Sequence, residues 1–436
     1  MLEFVLSFAL IAFCIFLIDR LPVFQHEKIK TSAFKLIFVV KLVAGFVLYL
    51  IYTRYYTERA TADIFRYFDD ADILYRSLFD KPYDYLRMLT GYHADAPDLQ
   101  HYYDAMRNWY NTEMMFNDTR TMIRFSAFFK LFSMGTYYPH AVLMCFLSMT
   151  GLTALFQFFT TFVKGKEMAF LIAVFLMPST LLWTSGLIKE AFLMYSLGML
   201  LYVLKDMIEK KNALIKNYLL LVFFLYCLFL IKPYIIFLLI PSVILWMLFK
   251  RHPRFIFVKT FAVYVTYGVL VMFAAKKLFG MAIPELLANK QAEFFQVAIR
   301  DHANSFIDIP VLDSTFTSLI VNTPNAIKNV VLRPTIVEVK NPLMLLAAVE
   351  NLVIAFFLIV CIYYIYKIKP LPISYWMSIA LAFSLTIFVL TGLVTPILGA
   401  IVRYKVPALP FFLFAMIHYL PEINLGEKIN SLIKKT

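Results

Sequence analysis

The stretch MLLAAVENLVIAFFLIVCIYYIY, residues 344–366, contains a single acidic or basic side chain, Glu350. About 20 consecutive apolar residues form a helix long enough to cross roughly 30 Å of hydrocarbon. Comparable runs lie near residues 2–19, 34–52, 139–163, 168–183, 188–204, 216–231, 233–249, 255–275, 372–393 and 397–420. The pattern predicts an all-α, polytopic transmembrane helical bundle of about 11 spans, forming a single integral membrane domain over residues 1–436.

The composition excludes an ordinary soluble protein. Hydrophobic residues make up 61% of the chain and charged residues 16%, and the mean hydropathy is +0.74, whereas soluble domains carry about 25% charged residues. The net charge of +13 is spread over short connections between apolar runs. Because this distribution is typical of membrane topology, we expect membrane lipids as partners and no nucleic acid.

The cysteines give no sign of disulfide or redox chemistry. Cys14, Cys145, Cys227 and Cys361 all lie inside apolar runs, where a thiol behaves as a small hydrophobic group. We therefore predict four free, buried thiols.

Lysine and arginine collect in one alternating set of connections, near residues 20–30, 164–166, 205–216, 250–254, 367–369 and 434–435. The positive-inside rule places that set in the cytoplasm. The other set then faces outward, with the N-terminus outside, and it contains two long connections, 53–138 and 276–343. Connections of this length are usually functional. We expect both to be partly helical, the first with helices near 63–78, 99–109 and 123–132.

The first cluster of candidate residues is TADIFRYFDDAD, residues 61–72. On a helix, Asp63, Tyr67 and Asp70 lie on one face. A carboxylate there, from Asp63, Asp69 or Asp70, is a candidate general base for an acceptor hydroxyl, and adjacent carboxylates raise one another's pKa. The alternative is a solvated helix start with acids in its first turn.

A second cluster is PSTLLWTSGLIKE, residues 178–190, which places Lys189 and Glu190 at the start of an apolar helix. Ionisable residues at membrane depth are costly and are usually paired or functional. We therefore predict a substrate-binding role for both, with a mutual ion pair or anchoring at the membrane interface as the alternative.

The third cluster is TPILGAIVRYKVP, residues 395–407, in which Arg403 and Lys405 fall on the outward side, against the positive-inside trend. A phosphate is a suitable partner, because arginine offers a bidentate fork and lysine a point charge. The alternative is contact with lipid head groups. Arg124 and Arg333 are weaker candidates of the same kind.

No metal-binding or nucleotide-binding motif is evident. His93 and His101 lie near several aspartates, but their spacing does not match a zinc site. We predict no metal ligands, and the sequence leaves a divalent-cation cofactor for the reaction undecided.

The acidic helix starting at Asp63, in the first large outward loop, resembles the GT-C superfamily of polyprenyl-phosphate-sugar-dependent membrane glycosyltransferases. Residues 178–190 and 399–407 are similar to polytopic proteins of bacterial surface-polysaccharide gene clusters. In one respect the chain departs from the GT-C pattern: two apolar runs, rather than one, precede the acidic loop.

The resemblance implies that a sugar is transferred, with inversion, from a polyprenyl-phosphate-linked donor to a glycan or lipid acceptor. The reaction would take place at the outer face of the bacterial cytoplasmic membrane. Asp63, or the Asp69 and Asp70 pair, would be the base, and Arg403 would bind the phosphate. The alternatives are a transporter or flippase for lipid-linked saccharides, a polysaccharide polymerase or ligase, and a non-catalytic scaffold. Long outer loops favour an enzyme.

Overall fold

The computed structural model describes residues 2–56, 58–59, 62–109, 117–210, 214–249, 254–300, 303–368 and 374–420. The first ten helices are α1 (Leu2–Arg20), α2 (Thr31–Leu50), α3 (Asp63–Asp80), α4 (Pro82–Thr90), α5 (Gln100–Asp104), α6 (Asp118–Ser133), α7 (Tyr137–Thr160), α8 (Glu167–Phe175), α9 (Pro178–Trp183) and α10 (Lys189–Lys210). They are followed by α11 (Ile215–Ile231), α12 (Pro233–Phe249), α13 (Ile256–Phe279), α14 (Ile283–Arg300), α15 (Phe316–Leu332), α16 (Pro342–Ile368), α17 (Tyr375–Val394), α18 (Leu398–Tyr404) and α19 (Leu409–Tyr419).

Shorter turns complete the described backbone. Three are 3₁₀ turns, at Pro22–Phe24, Pro97–Leu99 and Ile336–Glu338, and Ile51–Tyr55 extends α2 by one π-helical turn. Within the described ranges there is no β-strand, and one isolated antiparallel bridge pairs Phe306 with Ile397. The all-α prediction is confirmed.

Every predicted apolar run is mostly helical over its described residues, but fewer runs than predicted are long enough to cross a membrane. Seven helices among the described residues are long and apolar enough to cross a membrane: Leu2–Arg20, Thr31–Tyr55, Tyr137–Thr160, Lys189–Ile208, Ile256–Phe279, Pro342–Lys367 and Tyr375–Val394. An eighth is obtained if α18 and α19, which meet at a bend of 67°, count as one span. The chain is thus an integral membrane protein with seven or eight candidate spans, instead of about eleven.

Two local features account for the difference. The run 168–183 is divided into α8 and α9 at Pro178, since proline lacks a backbone N–H and clashes with the preceding turn. Helices α11 and α12 have 17 residues each, which corresponds to about 25 Å at 1.5 Å per residue. Both are therefore shorter than a typical hydrocarbon core of about 30 Å.

The chain forms two compact units. Unit 1 contains residues 1–158 and 181–234, and unit 2 contains residues 159–180 and 235–436. All four cysteines are buried and free, as predicted.

Unit 1 has two distinct ends. At one end, the first turn of α1 meets α7, because Tyr138 donates its backbone N–H to Glu3 (3.1 Å). At the other, Gln157 near the end of α7 donates to the carbonyls of Val23 and Gln25, and Lys205 donates to Gln157. The basic connection after α1 and Lys205 therefore lie together, and the helices of the first long loop lie at the opposite end.

That loop contains most of the predicted helical structure. Helices α3 and α6 confirm the predictions for 63–78 and 123–132, whereas in 99–109 only the short α5 forms. Asn117 begins α6 by accepting the backbone N–H groups of Thr119 and Arg120, a typical N-cap.

In unit 2, the second long loop folds back onto α17. Gln291 of α14 donates to the carbonyls of Leu393 (2.7 Å) and Pro310 (3.0 Å) and accepts the N–H of Leu312. Next to it, Gly392 packs directly against the backbone of Ala326 in α15. The loop is thus a packed part of unit 2.

Candidate functional site

The start of the acidic helix lies against the start of α10, so two of the three predicted clusters meet within unit 1. The ammonium of Lys189 is 5.3 Å from the ring centre of Tyr67. A Cβ placed on Gly186 would be 3.7 Å from the side chain of Ile64. Asp63, the first residue of α3, therefore lies beside the segment that precedes α10; its side chain is outside the described part of the chain.

Lys189 forms an ion pair that the sequence analysis missed. Its ammonium is 2.6 Å from Oδ2 of Asp118, the first residue of α6, and 3.5 Å from the hydroxyl of Thr119. The Lys189 side chain is 14% exposed and that of Asp118 is 43% exposed. The available signal was an asparagine cap followed by an acid and an amphipathic run, residues 117–133.

The other predicted carboxylates of α3 already have partners. Asp69 accepts two bonds from Arg59, of 2.8 and 2.6 Å. Asp70 is buried and accepts the backbone N–H groups of Arg107 (3.1 Å) and Asn108 (2.8 Å), one on each oxygen. Asp69 and Asp70 therefore both help to hold the loop together.

A second ion pair beneath the loop joins α3 to α6. Lys130 is fully buried, with its ammonium 2.9 Å from Asp72 and 3.4 Å from the ring centre of Phe68. Burial lowers the pKa of Lys130, although the bond to Asp72 opposes that shift.

Arg124 caps the end of α4. Its Nε donates to the carbonyl of Met88 (2.8 Å), and its guanidinium lies 5.2 Å from the ring centre of Trp109, whose ring is also approached by Arg120 at 4.9 Å. Arg120 in turn pairs with Asp95 (2.7 Å). Burial lowers the pKa of Arg124. In the described part of the chain, the bond to Met88 is the one hydrogen bond of the Arg124 side chain. The N–H groups of its two terminal amino groups therefore remain available to a ligand.

Glu190 and Lys189 are adjacent in the chain but form ion pairs with different residues. It pairs with Lys232, after the end of α11, at 3.4 Å, and both side chains are buried. The predicted alternative of a mutual Lys189–Glu190 pair is therefore wrong. The two residues instead connect the start of α10 to α6 and to the end of α11.

The segment between α9 and α10 is non-helical and buried, residues 184–188. Lys41 of α2, which is fully buried, donates to the hydroxyl (2.6 Å) and carbonyl (3.1 Å) of Thr184, and Ser148 donates to the same carbonyl. Cys145 donates to the carbonyl of Ser185. Backbone without helical bonds is tolerated at membrane depth only where protein groups satisfy it, as these side chains do.

The third predicted cluster lies in unit 2. Lys405 is buried, and its ammonium is 2.9 Å from Glu350 and 2.7 Å from the Asn351 side-chain oxygen. Glu350, which is also fully buried, accepts the backbone N–H (2.6 Å) and hydroxyl (2.7 Å) of Ser179. Lys405 is thus placed in a buried polar network within unit 2, and Arg403 lies half-buried on α18.

Arg333 lies near the same network. It pairs with Glu338 and approaches Asn329 (3.5 Å), and the carbonyl of the next residue, Pro334, accepts a bond from Asn351 (3.2 Å). Burial raises the pKa of Glu338, but hydrogen bonds from Arg333 and Thr335 outweigh burial and lower the pKa below its usual value.

The described residues contain no group of three histidine, cysteine, aspartate or glutamate side chains arranged to hold a metal ion. The His93 ring packs against Tyr92, and the His101 ring against Tyr102. The cluster of Tyr67, Asp118 and Lys189 places a half-exposed carboxylate next to a cation where α3, α6 and α10 begin.

Comparison of the chain with protein-family models, with curated proteins and with solved structures finds no match.

Proposed function

We propose that the chain transfers a sugar from a polyprenyl-phosphate-linked donor to a glycan or lipid acceptor, at the outer face of the bacterial cytoplasmic membrane. The observation that carries this proposal is the pair of Asp118 and Lys189 beside Tyr67. It places a half-exposed carboxylate next to a cation at the loop end of unit 1. A base and a positive charge are the two groups that transfer from a phosphate-linked donor requires.

Asp118 is the carboxylate that we assign as the base. One of its oxygens bonds to Lys189, and among the described residues the other has the Thr119 hydroxyl nearby, at 3.4 Å. Asp69 and Asp70 are weaker choices because both oxygens of each already accept hydrogen bonds. Asp63 is the alternative base, since α3 begins there.

In the proposed reaction, the acceptor hydroxyl gives its proton to Asp118 as its oxygen bonds to the anomeric carbon of the donor. The bond between that carbon and the phosphate oxygen breaks, and its electrons leave with the polyprenyl phosphate. Attack opposite the leaving group inverts the anomeric configuration. Lys189, together with those N–H groups of Arg124 that have no hydrogen-bond partner among the described residues, would balance the charge on the phosphate.

The basic residues of unit 2 are not needed for this step. Lys405 is bound by Glu350 and Asn351, and Arg333 by Glu338. Phosphate binding by Arg333, Arg403 and Lys405 stays a prediction.

The test is sugar transfer by the purified protein in liposomes, with a panel of radiolabelled polyprenyl-phosphate sugars and measurement of donor binding. We expect Asp118→Asn to abolish transfer and preserve donor binding. Asp104→Asn is the matched control, because Asp104 is an exposed carboxylate of the same loop that bonds to Gln100. Equal transfer by wild type and Asp118→Asn, with transfer lost in Asp63→Asn, would move the base to Asp63.

A transporter of lipid-linked saccharides is the second candidate, and the buried break at residues 184–188 favours it. Discontinuous helices at membrane depth are common at transporter binding sites. Donor translocation across the liposome membrane without transfer, unaffected by Asp118→Asn, would reject the enzyme and support the transporter.

A further inference from the structure

The helices of the first loop expose an apolar surface that the proposed reaction does not use. Six of its large side chains are 43% to 70% exposed. We call this surface the loop apolar face, and it consists of Phe79, Tyr83, Leu86, Phe128, Phe132 and Met134.

These six residues come from three helices that pack together. Lys130 of α6 pairs with Asp72 of α3, and a Cβ on Gly135 would be 3.1 Å from the ring of Tyr75, one turn before Phe79. The hydroxyl of Tyr85 in α4 donates to the carbonyl of Ala127 in α6 (3.4 Å). The end of α3, the start of α4 and the end of α6 therefore lie side by side, and each carries exposed apolar residues.

The loop apolar face continues into surface that must contact lipid. Three residues after Met134, the chain enters the candidate span α7, and Tyr138 in its first turn stacks on Phe4 of α1 (6.0 Å). Phe4 is exposed, and only 17% of the residues in the apolar part of α1 are buried inside the protein. A span with so little protein around it is covered by acyl chains. The face thus begins at the level where α1 and α7 enter the membrane.

Lys81 is exposed and lies in the chain between Phe79 and Tyr83 of the face, and Arg76, one turn before Phe79, is exposed and pairs with Asp72 (2.7 Å). An amphipathic helix with aromatic and aliphatic residues on one side and basic residues at its edge lies in the membrane interface, where long basic side chains reach the lipid phosphates. An apolar patch of this size left in water would be unusual for a soluble surface.

We propose that the loop apolar face is inserted into the phospholipid surface, so that α4 and the second half of α6 lie in the plane of the membrane. The expected depth is about 5–10 Å, at the boundary between head groups and acyl chains. This contact does not depend on the proposed sugar transfer.

The test uses variants that each carry one added cysteine, labelled with an environment-sensitive fluorophore, in bilayers of phosphatidylcholine and phosphatidylglycerol. Because the four native cysteines are buried, Phe79→Cys and Phe132→Cys provide the labelling sites. Gln100→Cys is the control, at an exposed position of α5 outside the face. Tyr83→Cys and Met134→Cys repeat the measurement if either first variant fails to fold.

At positions 79 and 132 we expect blue-shifted emission, strong quenching by lipids brominated near the head group and weak quenching by aqueous iodide. Position 100 should show the opposite pattern. Iodide quenching at 79 and 132 equal to that at 100 would overturn the inference. Protection from both quenchers would overturn it as well, and would indicate that a protein, such as a second copy of the chain, covers the face.

Discussion

Replacing Lys405 with methionine should strongly destabilise the protein. The substitution leaves the Glu350 carboxylate buried without the cation that lies 2.9 Å away, and among the described partners the two donors of Ser179 remain. Breaking a buried ion pair on one side costs about 3–5 kcal/mol. At about 1.4 kcal/mol per factor of ten, the ratio of folded to unfolded protein should fall between about a hundredfold and a few thousandfold.

The assay is reversible unfolding in mixed micelles with increasing SDS, followed by intrinsic fluorescence. The double variant Glu350→Gln with Lys405→Met removes both charges and keeps an acceptor for Ser179. It should therefore cost only about 1–2 kcal/mol. Lys290→Met is the matched control, since Lys290 pairs with Glu293 on an exposed surface, and it should change stability by less than about 0.5 kcal/mol. A double variant as unstable as Lys405→Met alone would refute the reasoning.

Three further predictions concern unit 1. A side chain at Gly198 would overlap the backbone of Gly151 on the neighbouring helix. Gly198→Val should therefore lower the free energy of unfolding by more than about 1–3 kcal/mol. Gly268 has open space around it, so Gly268→Val should leave the free energy of unfolding unchanged. Asn117→Ala should cost about 1 kcal/mol because it removes the cap of α6; an unchanged unfolding midpoint would contradict this. The bond from Arg87 holds the pKa of Asp98 below its usual value, so its contribution is present above about pH 4 and is lost as the pH falls through the lowered pKa. Amides near Asp98 should then lose protection against hydrogen exchange, measured relative to the intrinsic exchange rate at each pH, as the pH falls, and an Asp98→Asn variant should show no such change.

The sequence alone was sufficient to locate the apolar helices but insufficient to count the spans or to place α14 and α15 in the second loop. Apolar runs indicated helices because burial or lipid contact requires those runs in any arrangement. The number of spans depended on details that a hydropathy pattern does not weigh, such as the division of one run at Pro178 and the 17-residue lengths of α11 and α12.

The partners of the candidate site were beyond prediction for a different reason. Lys189 and Asp118 are 71 residues apart in the chain, and Lys405 and Glu350 are 55 residues apart. Side-chain spacing on one helix predicts which residues share a face, which is how Tyr67 and Asp63 were selected. It carries no information about which other helix lies opposite that face.

Exposure separates the structural charges from the candidate functional ones. The side chains of Lys41, Glu190 and Glu350 are fully or almost fully buried, and each is bound by a residue of another segment. Lys41 is bound by Thr184, Glu190 by Lys232, and Glu350 by Lys405. A charge enclosed in this way fixes how its helices pack, and a substrate could reach it only by breaking that packing. The carboxylate of Asp118 is paired as well, yet it keeps 43% of its surface open, so the acceptor hydroxyl of the proposed reaction could approach it without any helix moving. Mutations in the two classes should therefore differ in kind: loss of folded protein for the enclosed charges, and loss of activity in folded protein for Asp118.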